Sequence, residues 1–448
     1  MKKFLIIGAN AAGLSAASKI KRIDKDAEVT VLEKSGFISY GSCGLPYFVA
    51  GVVKRVEDLY HFTPESIKEK RGIDVLIHTE AQRIDKEKKV VYAVKEDKEV
   101  EFEYDKLLVS TGASPIKIPF PGVDLPGIFQ MRLVEDGIAM KNYIEENRPK
   151  KAVIVGGGYI GLEFAETFGL LGIGVTIVEK LPTILSTFDP EIIELVKKTL
   201  KKYNVKIYEN ETVMKFEGEG KVEKVITDKR EIEADIVLLS IGVRPNTSLL
   251  KDIGAELGEK GAILVNKRME TNLPHIYAAG DCATVYHMVW EKDKFYPLGP
   301  AANKGGRVAG SNMAGIPDEF QGIVGTTIFK TFEMEVAKTG LTEREAREFL
   351  GYEPEISVID ANSKPGYCPK GNKIRIKVIS DREGRFLGAQ IAGGDVHPRI
   401  NFFATALVNK MNVKDMRYLD FPYAPPFAPV WDPALIACET LVKKLERR

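Results

Sequence analysis

The 448-residue sequence has few cysteines, few histidines and no excess of either charge, and each shortage excludes a class of protein. Its four cysteines, at positions 43, 282, 368 and 438, have no paired spacing, which fits a reducing, cytoplasmic compartment and no disulfide scaffold. The five histidines show no ligand spacing, so no metal site is expected. The 64 Lys and Arg residues against 63 Asp and Glu give a formal charge of +1, which argues against nucleic acid and anionic membrane as partners. No apolar run approaches the roughly 20 residues of a membrane span.

A chain of 448 residues is too long for one hydrophobic core, and a repeated pattern indicates how it divides. Residues 3–33 read as strand, glycine turn, helix and strand (FLIIG, ANAAGLSAASKIKRI, EVTVLEK), and residues 151–179 repeat the order (AVIVG, GGYIGLEFAETFGLLG, VTIVEK). The continuous β-branched runs are typical of strands buried on both faces of a parallel sheet. Two βαβ units of this kind predict two separate dinucleotide sites.

Further segments connect these two units. Residues 107–115 (LLVSTGASP) and 236–245 (IVLLSIGVRP) read as strands that end in turns. Three prolines within residues 119–126 indicate a crossing between domains. Residues 276–283 (IYAAGDCA) predict another strand and turn, followed by a helix over 298–313.

The pattern changes from about residue 325. Strands (KIRIKVIS, FLGAQIAG) there alternate with helices, and no glycine fingerprint occurs, which predicts a third, α+β domain. The domain includes a proline-rich segment, residues 421–433, that is too rigid for a helix and too apolar for a free tail, as expected of a partner surface.

The first glycine turn, Gly8-Ala-Asn-Ala-Ala-Gly13, departs from G-x-G-x-x-G at its middle position, where Asn10 replaces glycine. Glycine there lets the backbone approach a pyrophosphate, and asparagine tolerates unusual backbone angles better than most residues. Glu33 ends the second strand, where a carboxylate accepts hydrogen bonds from both ribose hydroxyls. The alternative is a tight turn with a surface acid, but strand, turn, helix, strand and acid together favour nucleotide binding.

The second turn, Gly156-Gly-Gly-Tyr-Ile-Gly161, is a complete fingerprint, and Glu179 closes its second strand. A carboxylate there repels the 2′-phosphate of NADP, so NADH is the first expectation, although Lys180 follows at once and weakens this preference. Asp281 follows a buried strand and a glycine, where it either hydrogen-bonds a ribityl hydroxyl or caps a helix. Its order after two fingerprints favours the flavin interpretation.

Five features together, namely Gly8 to Gly13, Glu33, Thr111-Gly112, Gly156 to Gly161 and residues 271–281 (TNLPHIYAAGD), resemble the FAD-dependent pyridine nucleotide-disulfide oxidoreductases. The resemblance covers essentially the whole chain. It implies an α/β fold with two Rossmann-like dinucleotide-binding domains and a C-terminal α+β dimerisation domain. In that family FAD occupies the first unit and NAD(P)H the second.

Carried over position by position, the resemblance divides the chain and names its cofactor contacts. It assigns residues 1–115 and 245–324 to the FAD domain, 116–244 to the NAD(P)H domain and 325–448 to the dimerisation domain. The implied cofactor contacts are Gly8, Asn10, Ala11, Ala12, Gly13, Glu33, Lys34, Ser42, Cys43, Ala81, Thr111, Gly112, Gly156, Gly158, Tyr159, Ile160, Gly161, Glu163, Glu179, Lys180, Gly242, Asp281 and Ala302.

The redox centre implied by the resemblance is Cys43, within residues 37–48 (FISYGSCGLPYF). Only ten residues separate it from Glu33, so it is expected close to the flavin. If Cys43 opens a helix, the free N–H groups and the helix dipole lower its pKa and favour the thiolate. The alternative is a buried structural cysteine, the usual role of a lone one. The other three cysteines are interpreted as non-catalytic.

Two positions, residues 48 and 11, limit the redox reactions expected of Cys43. Glutathione and lipoamide reductases carry C-x₄-C here, whereas this chain has Phe48 at the second position, which excludes an intramolecular disulfide at this site. A lone redox cysteine cycles through a mixed disulfide with a small thiol or through a sulfenic acid. NADH peroxidases and water-forming NADH oxidases carry histidine where this chain has Ala11. Alanine there, followed by SCGLPY, resembles the coenzyme A-disulfide reductases and the related NAD(P)H-dependent persulfide reductases.

The same resemblance implies a coenzyme A groove. Ser15, Lys19 and Arg22 share one face of the first helix by their spacing, for which a solvated helix face is the ordinary explanation. Together with Arg71, the two cations would supply the positive charge that a 3′-phospho-ADP group requires. The implied coenzyme A contacts are Ser15, Lys19, Arg22, Ser39, Ser42, Arg71 and Asn303.

Two tyrosines are implied to complete the active site across a homodimer. Tyr423, in the proline-rich segment, would reach the cysteine of the partner, and Tyr367, in the sequence PGYC, is a second candidate. A tyrosine there would hydrogen-bond or protonate the departing thiolate. Alternatively, both side chains simply pack at the interface.

These features predict a homodimeric FAD enzyme that uses NAD(P)H to reduce coenzyme A disulfide or persulfide, with Cys43 cycling through a Cys43–S–S–CoA mixed disulfide. Tyr159 or a neighbouring side chain would move to admit the nicotinamide. The alternatives are an NADH oxidase producing mainly hydrogen peroxide and an NAD(P)H-dependent polysulfide reductase. A non-catalytic flavin redox sensor or coenzyme A carrier is the alternative from another class, and the complete second fingerprint disfavours it.

Overall fold

The computed structural model describes residues 2–369 and 371–447, and its N-terminal region folds as the glycine pattern predicts. The first apolar run is a buried strand, and the chain turns from it directly into a helix. The first two strands lie parallel, with Phe4 opposite Val29. The elements are β1 (Lys3–Ile7), α1 (Ala11–Ile23), β2 (Glu28–Leu32), a 3₁₀ turn (Ser42–Gly44), α2 (Leu45–Val49), a second 3₁₀ turn (Val56–Leu59), α3 (Pro64–Arg71), β3 (Asp74–Leu76), β4 (Thr79–Asp85), β5 (Val90–Lys95), β6 (Lys98–Glu103), β7 (Lys106–Val109) and β8 (Ala113–Pro115).

The second unit repeats this construction. Its central strand lies parallel to the strand that follows the helix, with Val153 opposite Thr176. The elements are β9 (Ile128–Phe129), α4 (Val134–Asn147), β10 (Lys151–Val155), α5 (Tyr159–Leu170), β11 (Gly174–Glu179), α6 (Pro190–Lys202), β12 (Lys206–Glu209), β13 (Val213–Glu217), β14 (Lys224–Thr227), β15 (Glu231–Glu233), β16 (Ile236–Leu239) and β17 (Val243–Pro245).

After β17 the chain returns to the first sheet. The elements are α7 (Ser248–Lys251), a 3₁₀ turn (Glu259–Gly261), β18 (Ile276–Ala278), β19 (Val285–His287), β20 (Lys292–Lys294) and α8 (Gly299–Met313). The first sheet has the order β18-β7-β1-β2-β3 and the second the order β12-β11-β10-β16-β9. The ribbon β8–β17 lies where the chain leaves the first unit and returns to it. The domain boundaries after residues 115 and 244 stay predictions, and this ribbon supports them.

The C-terminal region has a different architecture, as predicted. Its strands form an antiparallel sheet in the order β21 (Thr327–Thr331), β22 (Met334–Gly340), β25 (Phe386–Gly393), β24 (Lys373–Ser380) and β23 (Glu355–Asn362), covered by helices. Residues 421–432 form neither helix nor strand, and Pro433 begins the last helix. The α/β class with two Rossmann-like units and an α+β third domain is therefore confirmed. The elements are β21 (Thr327–Thr331), β22 (Met334–Gly340), α9 (Glu343–Leu350), β23 (Glu355–Asn362), β24 (Lys373–Ser380), β25 (Phe386–Gly393), α10 (Val396–Val408), α11 (Val413–Met416) and α12 (Pro433–Glu446).

In the first domain, α8 lies against α1 with almost no side chain between the two backbones. A Cβ added to Gly306 would lie 2.8 Å from the carbonyl carbon of Ala12, and one added to Gly310 would lie 2.9 Å from the Cα of Ala16. Such distances leave no room for a larger residue on α8 at these positions. The contact brings one face of α8 next to the start of α1, where the first glycine turn ends.

Gly306→Ala should lower the free energy of unfolding by about 1–3 kcal/mol, because the added methyl group overlaps the Ala12 backbone. Gly299→Ala, on the same helix, is the matched control, since a Cβ there meets no atom within 4 Å. Its effect should stay within about 0.5 kcal/mol. Denaturant unfolding of the two variants and the unsubstituted protein measures the difference, and equal losses in both variants would contradict the close contact.

Candidate active site

The two glycine turns have the same geometry. Gly8 and Gly156 adopt φ of +103° and +105°, a region that favours glycine. A Cβ at either position would lie 2.9 Å from the carbonyl carbon of a serine, Ser110 in the first unit and Ser240 in the second. The hydroxyls of these serines donate to the glycine carbonyls, at 3.2 Å from Ser110 and 2.8 Å from Ser240. Each turn is thus held tightly to the adjacent strand.

The two acids at the ends of the second strands hold the turns from the other side. Glu33 accepts the backbone N–H of Ala9 at 2.9 Å and that of the residue two positions after itself at 2.9 Å. Glu179 accepts the N–H of Gly157 at 2.7 Å and again that of the residue two positions further on, at 2.8 Å. A carboxylate oxygen has more than one lone pair, so both acids retain acceptor capacity for ribose hydroxyls.

The residues at the helix starts fit the phosphates of dinucleotides. The N-cap positions of α1 and α5, Asn10 and Gly158, supply no side-chain hydrogen bond to their helices. No atom lies within 4 Å of the place that a Cβ on Gly158 would take, so open space lies in front of α5. Free N–H groups at a helix start form a natural phosphate site. Each unit therefore offers the phosphate and ribose contacts of a dinucleotide.

The remaining predicted cofactor contacts lie around these turns or at strand ends. Ala11, Ala12 and Gly13 form the first turn of α1, and Ile160 and Gly161 that of α5. Asp281 and Ala302 line one small cavity between β18 and α8. Ala81 lies on β4 in a separate antiparallel sheet and packs against the core of the first sheet. Five further predicted contacts follow strands of the two parallel sheets, at the carboxyl ends where dinucleotides bind: Lys34, Thr111, Gly112, Lys180 and Gly242.

Arg132 belongs to the site although no sequence pattern pointed to it. Its Nη2 donates to a carboxylate oxygen of Asp281 at 2.8 Å, and both side chains are half-buried. Gly112 leaves room for the guanidinium, since a Cβ there would lie 3.3 Å from Nη2. The predicted role of Asp281 toward a ribityl hydroxyl stays a prediction. Its observed partner is Arg132, and Asp281 is not the cap of a helix.

Cys43 lies in the 3₁₀ turn that precedes α2, and its side chain is exposed to solvent. Desolvation by surrounding protein and then the charge of Glu163 raise the pKa of the Cys43 thiol, against smaller lowering effects of a hydrogen bond from Ser42 and of Arg132. The lowering of this pKa, expected if Cys43 opens a helix, therefore does not occur. The helix that was expected to lower it, α2, has only five residues and begins at Leu45, beyond the cysteine.

Two side chains from the second unit, Glu163 and Tyr159, lie near enough to Cys43 to interact with it electrostatically. Burial, followed by the charge of Glu166, raises the pKa of Glu163 to about 7, and Glu166 itself pairs with Lys330 of the C-terminal domain. Burial raises the pKa of Tyr159 to about 12, and the ring packs near Phe329 with the centroids 6.2 Å apart. Glu163 and Tyr159 both interact electrostatically with Cys43. The structure thus brings predicted residues of both units to one thiol.

The other three cysteines are poor candidates for redox chemistry. Burial raises the pKa of Cys282 to about 11 and that of Cys438 to about 12. Cys368 is half-buried, and all four thiols are free. Within residues 2–369 and 371–447, no cluster of His, Cys, Asp and Glu could hold a metal ion.

A cavity of about 360 Å³ lies between α1, α3, α8 and the segment before Cys43. Five predicted coenzyme A contacts line it: Ser15, Arg22, Ser39, Arg71 and Asn303. Two of these already meet, because the Asn303 amide donates to the Ser15 hydroxyl at 2.8 Å. Two predicted contacts, Lys19 and Ser42, are not part of the lining, although Ser42 lies beside Cys43. Five of the seven predicted contacts thus line one cavity, whereas the predicted cation Lys19 lies outside it, and the binding of coenzyme A stays a prediction.

Arg307, which the sequence reasoning missed, takes the place of Lys19 as the third cation of the cavity. Burial and then the charges of Arg307 and Arg71 lower the pKa of Arg22. Arg71 is held by the Ser18 hydroxyl and by the ring of Phe62, 4.7 Å from the guanidinium. None of the described lining residues is an aspartate or a glutamate. Three mutually repelling arginines without an acid form a site for a ligand with several negative charges.

The two predicted tyrosines lie together on the surface of the C-terminal domain. Their hydroxyls are 3.3 Å apart, and the residues are 74% exposed at Tyr367 and 46% exposed at Tyr423. Phe427, Val430 and Trp431, close by in the sequence, are also exposed. Contact with the cysteine of a partner stays a prediction.

Comparison with known proteins agrees with this geometry. The family model "Pyridine nucleotide-disulphide oxidoreductase" matches residues 2–302, and the dimerisation-domain model of the same family matches residues 326–434. The CoA-dependent NAD(P)H sulfur oxidoreductase of Pyrococcus furiosus is 42% identical over 443 residues, 98% of this chain and 99% of the relative. The NADH oxidase of Methanocaldococcus jannaschii is 38% identical over 448 residues, 99% of both chains. The solved NAD-dependent persulfide reductase from A. fulgidus has a TM-score of 0.96 at 35% identity, covering 99% of this chain and 84% of that chain.

Fold and site together define an oxidoreductase with two dinucleotide-binding units and a third domain for dimerisation. The chain belongs to the pyridine nucleotide-disulfide oxidoreductase family. The predicted family, fold class and enzyme class are confirmed. The roles of individual site residues stay predictions.

Glu163→Gln should accelerate the alkylation of Cys43 at pH 8 by roughly 2- to 5-fold, because the negative charge of Glu163 raises the pKa of that thiol and only the thiolate reacts. The effect should nearly vanish at pH 6. The pKa of Glu163 is about 7, so its carboxyl is largely neutral there and charged at pH 8.

The measurement is the rate of reaction with iodoacetamide after reduction, in a Cys368→Ser background because the other two cysteines are buried. Glu219→Gln, at an exposed position, is the matched control and should leave the rate unchanged at both pH values. An acceleration of equal size at pH 6 and pH 8 would contradict the titration of Glu163.

Proposed function

We propose that this protein is an NAD(P)H-dependent flavoprotein that reduces coenzyme A disulfide or coenzyme A persulfide at a single thiol, Cys43. One feature supports this most directly, namely an exposed cysteine four residues after Ser39, which lines a cavity of about 360 Å³ together with three arginines. An accessible thiol accounts for disulfide chemistry, and the arginines account for a substrate rich in phosphate. The names of two relatives, a CoA-dependent sulfur oxidoreductase and a persulfide reductase, agree with both halves.

Coenzyme A matches the charge and the polar groups of the cavity. Its diphosphate and 3′-phosphate carry several negative charges on one end of the molecule, and Arg22, Arg71 and Arg307 would bind them with charge-assisted hydrogen bonds. Ser15 and Asn303 add neutral donors on the same wall. The thiol end would extend past Ser39, which lines the cavity four residues before Cys43.

In the proposed chemistry, the sulfur atom of Cys43 forms one bond to a sulfur of coenzyme A and then loses it. The Cys43 thiolate attacks a sulfur of the substrate disulfide, so that a Cys43–S–S–CoA bond forms and one CoA thiolate leaves. With a persulfide, attack on the sulfur attached to coenzyme A gives the same mixed disulfide and releases hydrosulfide. Two electrons then cleave the mixed disulfide, which releases a CoA thiolate and returns Cys43 to the thiolate.

The two glycine turns would hold the cofactors that supply these electrons. FAD fits the first turn and NAD(P)H the second, and the flavin, when bound, would pass electrons from the nicotinamide to the cysteine sulfur. Glu33 and Glu179 would accept the ribose hydroxyls. The Glu179 carboxylate favours NADH over NADPH, because the 2′-phosphate of NADPH would repel it. Tyr159 would move away from Phe329 to admit the nicotinamide.

Proton transfer accompanies the departure of each thiolate. Glu163 is half-buried, interacts with Cys43 and has a pKa of about 7, so it can hold or release a proton near neutral pH.

From the partner chain, Tyr423 and Tyr367 would approach the leaving sulfur, so that two active sites are completed across a homodimer. The match to the family's dimerisation domain and the exposure of both tyrosines support this arrangement. None of the described helices has the length and hydropathy of a membrane span.

An NADH oxidase producing mainly hydrogen peroxide is the second candidate. The 38% identical relative that is named an NADH oxidase supports it. Ala11 offers no proton donor at the position where water-forming oxidases carry histidine, which favours peroxide over water as product. The two functions differ in their need for Cys43, because direct reaction of a reduced flavin with oxygen does not require a thiol.

Cys43→Ser should retain FAD and its reduction by NADH but lose at least about 10³-fold in turnover of coenzyme A disulfide, because a hydroxyl cannot form the mixed disulfide. Stopped-flow flavin absorbance and release of free thiol measure the two half-reactions. Cys368→Ser, the matched control, should turn over like the unsubstituted enzyme. Undiminished thiol release by Cys43→Ser would refute the proposal. If the unsubstituted enzyme produced hydrogen peroxide and released no thiol from coenzyme A disulfide, the oxidase would be favoured.

Arg307→Ala should raise KM for coenzyme A disulfide by about 10-fold, since it removes one charge-assisted contact to phosphate. KM for pantethine, a disulfide without phosphates, should not change. Lys304→Ala is the control, because Lys304 is exposed on the same helix but does not line the cavity. Equal changes in KM for the two disulfides would show that Arg307 does not bind phosphate.

A further inference from the structure

In the C-terminal domain, a single buried arginine fixes the end of the segment that carries Tyr423. Arg399, on α10, is only 3% exposed. Its Nε and Nη2 donate to the two carboxylate oxygens of Asp432, at 3.1 and 2.8 Å. Asp432 accepts the backbone N–H of Ala434 at 2.8 Å and so caps α12. The proline-rich segment is therefore tied to α10 at its last residue before the helix.

The same guanidinium fixes the start of the loop that carries Tyr367. Its Nη2 also donates to the carbonyl of Ser363 at 3.0 Å, and its Nη1 donates to the carbonyl of Asp395 at 2.8 Å. The Ser363 hydroxyl donates to the carboxylate of Asp395 at 2.7 Å. Ser363 directly follows β23 and precedes Tyr367 by four residues. Four hydrogen bonds from one side chain thus join two loops and a helix.

The two tyrosines meet outside this buried network. Their hydroxyls lie 3.3 Å apart, and both residues are exposed in the single chain. A side chain that is not packed samples several rotamers, so its position depends mainly on the backbone that carries it. That backbone is anchored at Ser363 on one side and at Asp432 on the other, and both anchors are bound to Arg399.

The geometry points to Arg399 as the positioning residue that sets the placement of Tyr367 and Tyr423 relative to each other, and with it the part of the active site that this chain contributes to its partner. The inference rests on the proposed function, which gives the two tyrosines a role in turnover. A buried ion pair contributes little to stability over apolar residues of the same size, because desolvation offsets the attraction. Its bidentate geometry instead specifies one arrangement of the groups it joins.

The test is a double-mutant cycle between Arg399→Met and the combined Tyr367→Phe and Tyr423→Phe substitutions, in the dimeric FAD-loaded enzyme. The tyrosine substitutions should lower kcat for coenzyme A disulfide by about 10²-fold. Arg399→Met should lower it by about 10- to 100-fold, because displaced hydroxyls no longer meet the leaving sulfur. Neither change should alter KM for NADH or the rate of flavin reduction. Once both hydroxyls are absent, Arg399→Met should have almost no further effect on kcat.

Two further variants separate positioning from general structural damage. Lys377→Met is the matched control, since Lys377 is a fully buried cation whose ion-pair partners, Asp189, Glu191 and Glu343, all lie outside the two tyrosine segments in the sequence. Any loss of kcat in that variant should add to the loss from the tyrosine substitutions. Arg399→Lys retains the charge opposite Asp432 but cannot also bridge to Ser363, so it should recover part of the turnover, and it replaces Arg399→Met in the cycle if that variant does not fold.

The outcomes distinguish failure of this inference from failure of the proposed function. Additive effects of the arginine and tyrosine substitutions, an unchanged kcat in the Arg399 variants, or an equal loss in flavin reduction would overturn the positioning role and leave the proposed function standing. An unchanged kcat in the double tyrosine variant would overturn the proposed role of the tyrosines, and the positioning role with it.

Discussion

The close approach of α8 to α1 is the constraint on which the candidate site depends. Because Gly306 and Gly310 have no side chains, the backbone of α8 reaches that of α1 at Ala12 and Ala16. The start of α1 is the first dinucleotide turn, whereas its outer face and that of α8 line the arginine cavity. One helix pair therefore builds a wall of both candidate sites, and a shift of α8 would displace the arginine cavity and the first glycine turn together.

A second constraint is the charge around Cys43. Desolvation by the surrounding protein and the charge of Glu163 raise the pKa of the thiol, while a Ser42 hydrogen bond and Arg132 act against them. Arg132 is also the partner of Asp281, so its charge is shared between an acid and the thiol. The reactive thiolate is therefore linked to the protonation of Glu163, whose pKa lies near 7. In this arrangement, a thiolate and a charged Glu163 disfavour each other, which fits a cycle in which protons move whenever a thiolate forms or leaves.

The sequence predicted what depends on local pattern. Both glycine turns and their acids follow from short motifs in strand–turn–helix order, and Cys43 follows as the candidate thiol from its flanking glycines and its short distance from Glu33 in the sequence. Lys19 shows the limit of helical spacing, because the cavity lies along Ser15, Ser18 and Arg22 instead.

Features that depend on distant parts of the chain escaped prediction. Arg132 and Arg399 are isolated residues without a motif. Arg307 left a weak signal, four residues after Asn303 and therefore on the same face of α8. The raised pKa of Cys43 escaped prediction for the same reason, since it comes first from desolvation by the surrounding protein and then from the charge of Glu163, 120 residues away in the sequence.

In the proposed function, Phe48, which stands in place of a second cysteine, gives the arginine cavity its role. Phe48 is buried against Leu45 and Leu59, and Lys141 lies over its ring at 5.6 Å. The position where two-cysteine reductases carry their second thiol is thus part of a hydrophobic cluster. Disulfide chemistry at Cys43 would therefore need a second sulfur from outside the chain. A small free thiol would leave after each encounter, because nothing but the disulfide itself would hold it. A thiol attached to several phosphates would be held by the arginines before and after the covalent step, which would raise its effective concentration at Cys43. In the proposed function, the cavity would therefore do for an external thiol what covalent attachment does for an internal one.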